Sequence, residues 1–190
     1  MTKTVLFLFG FFLAAIACSA QTKKIDSLKV ETRQAVAQQR LKALRQLCEH
    51  RNSLSVDTLH VYAQQLKQIG EKLHDQKAVS YAEQDIALYF ASKSRIDTAI
   101  VIVSAQLKKR VASEDNELHL SLLLSRARLL YRNNQYKEAL QELFGVLTLA
   151  EKQGNVFFQV MAKTGIGWLQ LDMKQYDNAL IWFHRALSTP

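Results

Sequence analysis

Tyr136-Lys137-Glu138-Ala139-Leu140 and Tyr176-Asp177-Asn178-Ala179-Leu180 are one phrase written twice, forty residues apart, and Ile96-Asp97-Thr98-Ala99-Ile100 is a third copy forty residues earlier. A fixed period is informative because each repeat is one supersecondary unit that can bury its apolar face only against its neighbours. The register extends both ways. Leu107, Leu147 and Leu187 follow downstream, with Val103, Leu143 and Phe183 as knobs between, and the small residues Ala87, Ala127 and Gly167 stand upstream. Small residues on one helix facing knobs on the next describe a helical hairpin repeated three times.

The connections agree with this. Lys93-Ser94-Arg95, Asn133-Asn134-Gln135 and Lys174-Gln175 separate the paired helices, while Asp115-Asn116 and Gly154-Asn155 separate one hairpin from the next. Gly and Asn end helices at little cost in the left-handed region. Upstream, Leu59, Ala63 and Leu66 predict a helix that Asp57 could cap, paired with an earlier helix carrying Ala37, Leu41, Leu44 and Cys48 at steps of three and four. The reading is therefore a helical region with a degenerate first repeat over 21–76, then repeats at about 77–116, 117–156 and 157–190. Composition points the same way: there is one proline, at the last position, and only 6 glycines in 190 residues, which suits helices joined by short turns and not a sandwich or barrel.

These residues resemble the tetratricopeptide (TPR) family. Its small residue late in the first helix, Tyr before the second, Ala within it and small or aliphatic residue one turn later are matched at Gly167, Tyr176, Ala179 and Ala186. The preceding repeat matches at Ala127, Tyr136 and Ala139 but has Val146 last, and the one before carries Ile96 for the tyrosine and Gln106 near the helix end. The resemblance covers residues 77–190 well and 25–76 loosely. It implies an all-α, right-handed solenoid of about four hairpins that holds another polypeptide. The forty-residue spacing behind an exported leader is similar to the exported sensor regions of bacterial two-component histidine kinases and related regulators.

The leader is residues 1–20, where Lys3 precedes an apolar run from Val5 to Ala17 and the small residues Cys18-Ser19-Ala20. That is a secretory signal layout, and thirteen residues rise only about 20 Å as a helix, against a hydrocarbon core of about 30 Å. Ordinary cleavage before Gln21 is expected. The alternative is a lipoprotein box ending at Cys18, although Ala15 stands where such boxes favour Leu. Export would place the chain in the periplasm or on the outer-surface side of the membrane of a Gram-negative-type bacterium, touching lipid only through a lipidated Cys18 or a following membrane span. Cys48 is then the only cysteine left, read as a small buried hydrophobe.

The net charge of +8 is spread around helices, and Lys108-Lys109-Arg110 falls at a helix end, where cations favour exposed carbonyls. No nucleic-acid partner is expected. The five histidines are dispersed without ligand spacing, and Gly165-Ile166-Gly167 lies in a helical pattern with no strand before it, so neither an enzyme nor a metal or cofactor is expected. Family geometry implies a peptide groove along the first helices at Tyr81, Gln84 and Leu88, then Ser121, Leu124, Arg128, Tyr131 and Arg132, then Met161, Thr164, Trp168 and Asp172. Aromatic anchors mixed with arginines suit a ligand with an apolar segment and a carboxylate. The basic-and-asparagine carboxylate clamp of some relatives is not reproduced, since its places hold Gln84, Leu88, Leu124 and Arg128. Leu180, Ile181, Trp182 and Leu187 lie on the face that a further repeat would cover, so either the sequence is a fragment of a longer protein, which is the favoured expectation, or this face docks on a partner. The functional expectation is an exported protein-protein interaction module, the sensory or scaffold part of a signalling protein. The alternative is a stand-alone periplasmic or lipid-anchored scaffold of an envelope complex.

Overall fold

The computed structural model describes residues 23–30, 32, 36–109 and 115–190. The expected signal over 1–20, Cys18 and Arg110 lie outside them. Residues 23–30 are helical (α1). There follow α2 (Ala37–Glu49), a 3-10 turn (Arg51–Ser53), α3 (Val56–Lys72), α4 (Gln76–Ser92), α5 (Ile96–Leu107), α6 (Asn116–Arg132), α7 (Tyr136–Lys152), α8 (Val156–Asp172) and α9 (Tyr176–Leu187). Among the described residues there is no strand, and no helix is long and apolar enough to cross a membrane.

One turn is used repeatedly. His74, Ser94, Asn134, Gly154 and Lys174 all adopt φ between 56° and 64°, at steps of twenty or forty residues. After each, the next amide reaches back five residues: Asp75 to Gly70, Arg95 to Phe90, Gln135 to Leu130, Asn155 to Ala150 and Gln175 to Gln170, at 2.8–2.9 Å. This is the Schellman closure, which satisfies carbonyls that a helix end would leave without partners. Only Gly154 enters the left-handed region without a side-chain penalty.

The starts alternate. Asp75, Asp115 and Asn155 cap α4, α6 and α8 by accepting from Ala78, Leu118 and Phe158 amides, whereas α5, α7 and α9 begin at Arg95, Gln135 and Gln175 with no side-chain cap. Helix α3 is capped by Ser55, which accepts from the Thr58 amide at 3.1 Å, and not by Asp57. Asp57 sits two residues inside, where its charge faces the helix N-terminus and pairs with Lys93 at 2.9 Å.

The helices pair as α2/α3, α4/α5, α6/α7 and α8/α9, and each second helix packs on the first helix of the next pair. Apolar burial is a chain of local clusters: Leu44, Leu59, Leu66 and Ala82 join α2 to α4, Ala87, Val103, Leu118 and Leu122 join α4 to α6, and Leu120, Leu143, Val146, Ile166 and Leu169 join α6 to α8. A stack of neighbour-only contacts is a solenoid. Successive first helices α2, α4, α6 and α8 also touch one another, while no comparable contact joins successive second helices. The stack therefore curves with the first helices on its concave side.

The small-residue register has a direct packing cause. Ala87 and Ala127 are buried with Val103 and Leu143, and a Cβ added at Gly167 would lie 2.6 Å from a ring carbon of Phe183. The larger knob takes the smaller partner. In the second hairpin Gln106, where the family pattern has a small or aliphatic residue, is buried and accepts from Ser80 Oγ at 3.1 Å.

Candidate functional site

Two kinds of chemistry meet on the concave side. The first is an apolar cleft of about 230 Å³ between α6 and α8, lined by Leu124, Arg128, Tyr131, Met161, Thr164 and Trp168, with Leu143 behind it. Gly165 shapes one wall, for a Cβ there would come within 3.0 Å of Leu143 Cδ2. Trp168 is 52% exposed, its ring meeting Phe183 edge-to-face at 5.5 Å, so it is anchored from below and open above. The Tyr131 hydroxyl donates to Asp172 and bridges α6 to α8 at one end of the cleft. Bonding to that carboxylate, with burial second, pushes the Tyr131 phenol up to about 12. The hydroxyl therefore stays a donor at any physiological pH.

The second is a charged cluster toward α4. Asp85 is 1% exposed, and its Oδ1 lies 3.4 Å from the Arg51 guanidinium without making a hydrogen bond. Burial pushes the carboxyl up to about 6, against the opposing pull of Arg51 and of the Cys48 thiol that donates to it. The same burial, with Asp85's charge second, raises the Cys48 thiol well above its usual range, so this cysteine is neutral and buried. Arg128 is exposed to the groove although protein crowds it on several sides. That crowding first, and the like charge of Arg51 second, lowers its pKa. Arg128 makes no ion pair or hydrogen bond among the described residues.

Of the residues placed on the groove by the sequence, the structure brings Leu124, Arg128, Tyr131, Met161, Thr164 and Trp168 together. The others differ. Gln84 is 4% exposed, sealed between α4 and α6, where its amide oxygen accepts from Ser121 at 3.2 Å and its nitrogen has no partner. Tyr81 is half-buried beneath the Arg45 guanidinium at 4.9 Å, and Leu88 packs into the α2–α4 cluster. Arg132 donates to the Ala91 carbonyl at 3.0 Å and so ties α6 to the end of α4. Sequence reading missed Asp85 and Arg51; the available signal was that Asp85 stands in the i, i+4, i+7 register with the small apolar Ala78 and Ala82.

On the last helix, Leu180, Ile181 and Leu187 are 59%, 48% and 84% exposed. Trp182 differs from the expectation, since it turns inward onto Phe144 at 5.6 Å and is covered by Arg185 at 4.7 Å. Among the described residues no group of His, Cys, Asp and Glu side chains could hold a metal ion.

No family model matches the chain, and neither does any curated protein. Among solved structures it is similar to Bacillus thuringiensis PlcR, determined in complex with the peptide PapR7 and DNA, at 13% sequence identity and a TM-score of 0.65. The match covers 87% of this chain and 64% of that one, so the chain spans less than two thirds of its structural neighbour. At this identity the likeness is one of fold alone: the chain is an all-helical solenoid of hairpins.

Proposed function

We propose that this chain is an exported, TPR-like interaction module whose concave groove binds a peptide or an extended segment of another protein. The observation that carries the reading is the half-exposed Trp168 at the rim of an apolar cleft whose wall includes Arg128, which makes no ion pair among the described residues. An aromatic anchor beside an arginine is the composition that dominates binding energy at interfaces. The structural neighbour was solved with a peptide, which supports the same class of ligand here. The partner is protein and not nucleic acid on this reading, because the cleft is lined by apolar and aromatic side chains with a single arginine and not by the strip of cations that a phosphate backbone calls for. No catalytic role or cofactor is assigned.

The module serves as the sensory or scaffold part of a bacterial signalling protein, on the leader at residues 1–20 and the forty-residue period. A stand-alone periplasmic or lipid-anchored envelope scaffold is the second reading, on the lipoprotein-box alternative at Cys18. The groove is tested by selecting a random phage-displayed peptide library on the purified chain. Enriched peptides should lose about tenfold or more in affinity with Trp168→Ala, as buried aromatic anchors do. They should bind Val101→Ser, on the opposite surface, unchanged. Enrichment insensitive to Trp168→Ala would refute the groove. Export is tested separately by fusing residues 1–30 to a phosphatase active only outside the cytoplasm.

A further inference from the structure

Cations of the chain lie over four of its own rings: Arg45 over Tyr81 at 4.9 Å, Lys93 over Tyr89 at 5.3 Å, Arg95 over Phe90 at 4.7 Å and Arg185 over Trp182 at 4.7 Å. Phe157 is different. It is 64% exposed, its ring meets Phe158 edge-to-face at 5.2 Å, and no cation among the described residues covers it. Phe157, Met161, Thr164 and Trp168 follow one another at steps of four, three and four, which places them within about 60° around α8. Phe157 therefore continues the stripe that lines the cleft. Glu117, Ser121, Leu124 and Arg128 repeat the same steps on α6. Side-chain contacts between neighbouring first helices join residues 37 to 41 positions apart, as in Gln84 with Ser121 and Tyr131 with Asp172, so Glu117, forty positions before Phe157, stands beside it. Glu117 is exposed and makes no ion pair among the described residues, and Lys77 is held by Asp115. An open ring face beside a free carboxylate is a cation site that lacks only its cation.

We infer that Phe157 and Glu117 form a second subsite of the groove, which takes an arginine side chain of the peptide whose apolar residue fills the Trp168 cleft. This rests on the groove reading and names the ligand more closely. Arginine suits the task because its planar guanidinium stacks on a ring while its edge donates to a carboxylate. The chain already makes such a contact on the same concave stripe of α4, where Arg45 of the preceding first helix covers Tyr81. Net charge does not explain a preference for arginine, since a chain of +8 repels a cation overall and only a local site attracts one. Spacing fixes the motif. Gly165, in the wall of the cleft, follows Phe157 by eight residues, about 12 Å along the helix at 1.5 Å per residue. An extended peptide covers about 13 Å in four residues, and an even step returns both side chains to the same side. The arginine therefore stands four positions from the apolar residue.

The test is a series of short synthetic peptides, acetylated and amidated so that no terminal charge remains, each with one Leu and one Arg at separations from one to six residues, and a matched series with citrulline, the neutral isostere of arginine. Binding is read by fluorescence anisotropy. The Arg peptide should bind about tenfold tighter than its citrulline partner at a separation of four, and less so at one and two. Phe157→Leu keeps an apolar side chain but removes the ring face, and Glu117→Gln removes the charge. Both residues are exposed, so both variants should keep the parent's helical circular dichroism, and each should lose most of the arginine preference while the citrulline peptides bind as before. Equal affinity for Arg and citrulline peptides, with binding still lost in Trp168→Ala, overturns the arginine subsite and leaves the groove standing. An arginine preference that survives in the double substitution Phe157→Leu with Glu117→Gln overturns it too, as does a preference equal at every separation. If the whole series fails to bind, the inference falls, and the groove reading falls with it only where the random library also yields nothing.

Discussion

Replacing Asp85 with asparagine should reverse part of the pH dependence of stability. The carboxyl is 1% exposed and pushed up to about 6, from an ordinary value of 3.8, mainly by burial. Because the folded-state value is raised, the group's contribution to stability is fully present below its unfolded value and is lost as pH rises through about 6. Between those limits the unfolded chain releases a proton that the folded chain keeps. The gap corresponds to roughly 3 kcal/mol at about 1.4 kcal/mol per pH unit. Asp85→Asn removes this titration and leaves every other ionisable group in place. Urea unfolding of both proteins, followed by circular dichroism from about pH 4 to about pH 8, should show the variant gaining roughly 3 kcal/mol relative to the parent across that range. Arg51, whose side chain is 39% exposed, can turn to water once its partner is neutral. A difference that stays flat within about 0.5 kcal/mol would refute the reasoning, because burial would then not be penalising the charge. A difference of opposite sign would mean that the Arg51 ion pair outweighs desolvation.

Other predictions follow from the packing. Gly167→Ala should destabilise by about 1–2 kcal/mol despite the better helix propensity of alanine, because its Cβ meets the Phe183 ring, and Phe183→Leu should relieve the penalty in a double-mutant cycle. Lys174→Gly and Ser94→Gly should each raise stability by about 0.5–1 kcal/mol in thermal unfolding, since both residues hold left-handed φ, whereas Gly154→Ala should lower it by a similar amount. Asp115→Ala should cost about 1–2 kcal/mol, more than the loss of the α8 cap by Asn155→Ala, because Asp115 also pairs with Lys77 at 2.5 Å. Burial alone would raise the Asp115 pKa, but the Leu118 amide and Lys77 outweigh it and hold it below its usual value. Its contribution is therefore present at neutral pH and lost in acid as the carboxyl protonates.

The repeat was legible because packing in a solenoid is local: Ala99, Ala139 and Ala179 meet their neighbours within one hairpin, so their spacing carries the contact. Helix starts were less so. Ser55 and Asp57 are both capping residue types, and only the backbone shows that the Ser55 oxygen reaches the Thr58 amide. Periodicity placed Gln84 on the inner side of α4, but it cannot tell how closely α4 and α6 approach, and that closeness is what buries Gln84 against Ser121. Trp182 was assigned to an open face for the same reason: its position in the register is clear, but its turn toward Phe144 depends on a ring in the preceding hairpin. The Arg51–Asp85 contact joins an inter-helix connection to the middle of another hairpin, and no period encodes such a pair.

The most direct test of the groove is amide hydrogen exchange of the chain with and without the tightest peptide from the random library. Binding in the groove predicts slowed exchange in the stretches 124–132 of α6 and 161–172 of α8, with α5 and α7 unchanged. Protection confined to the second helices, or to α9 around Leu180 and Leu187, would contradict it and move the binding surface off the concave side.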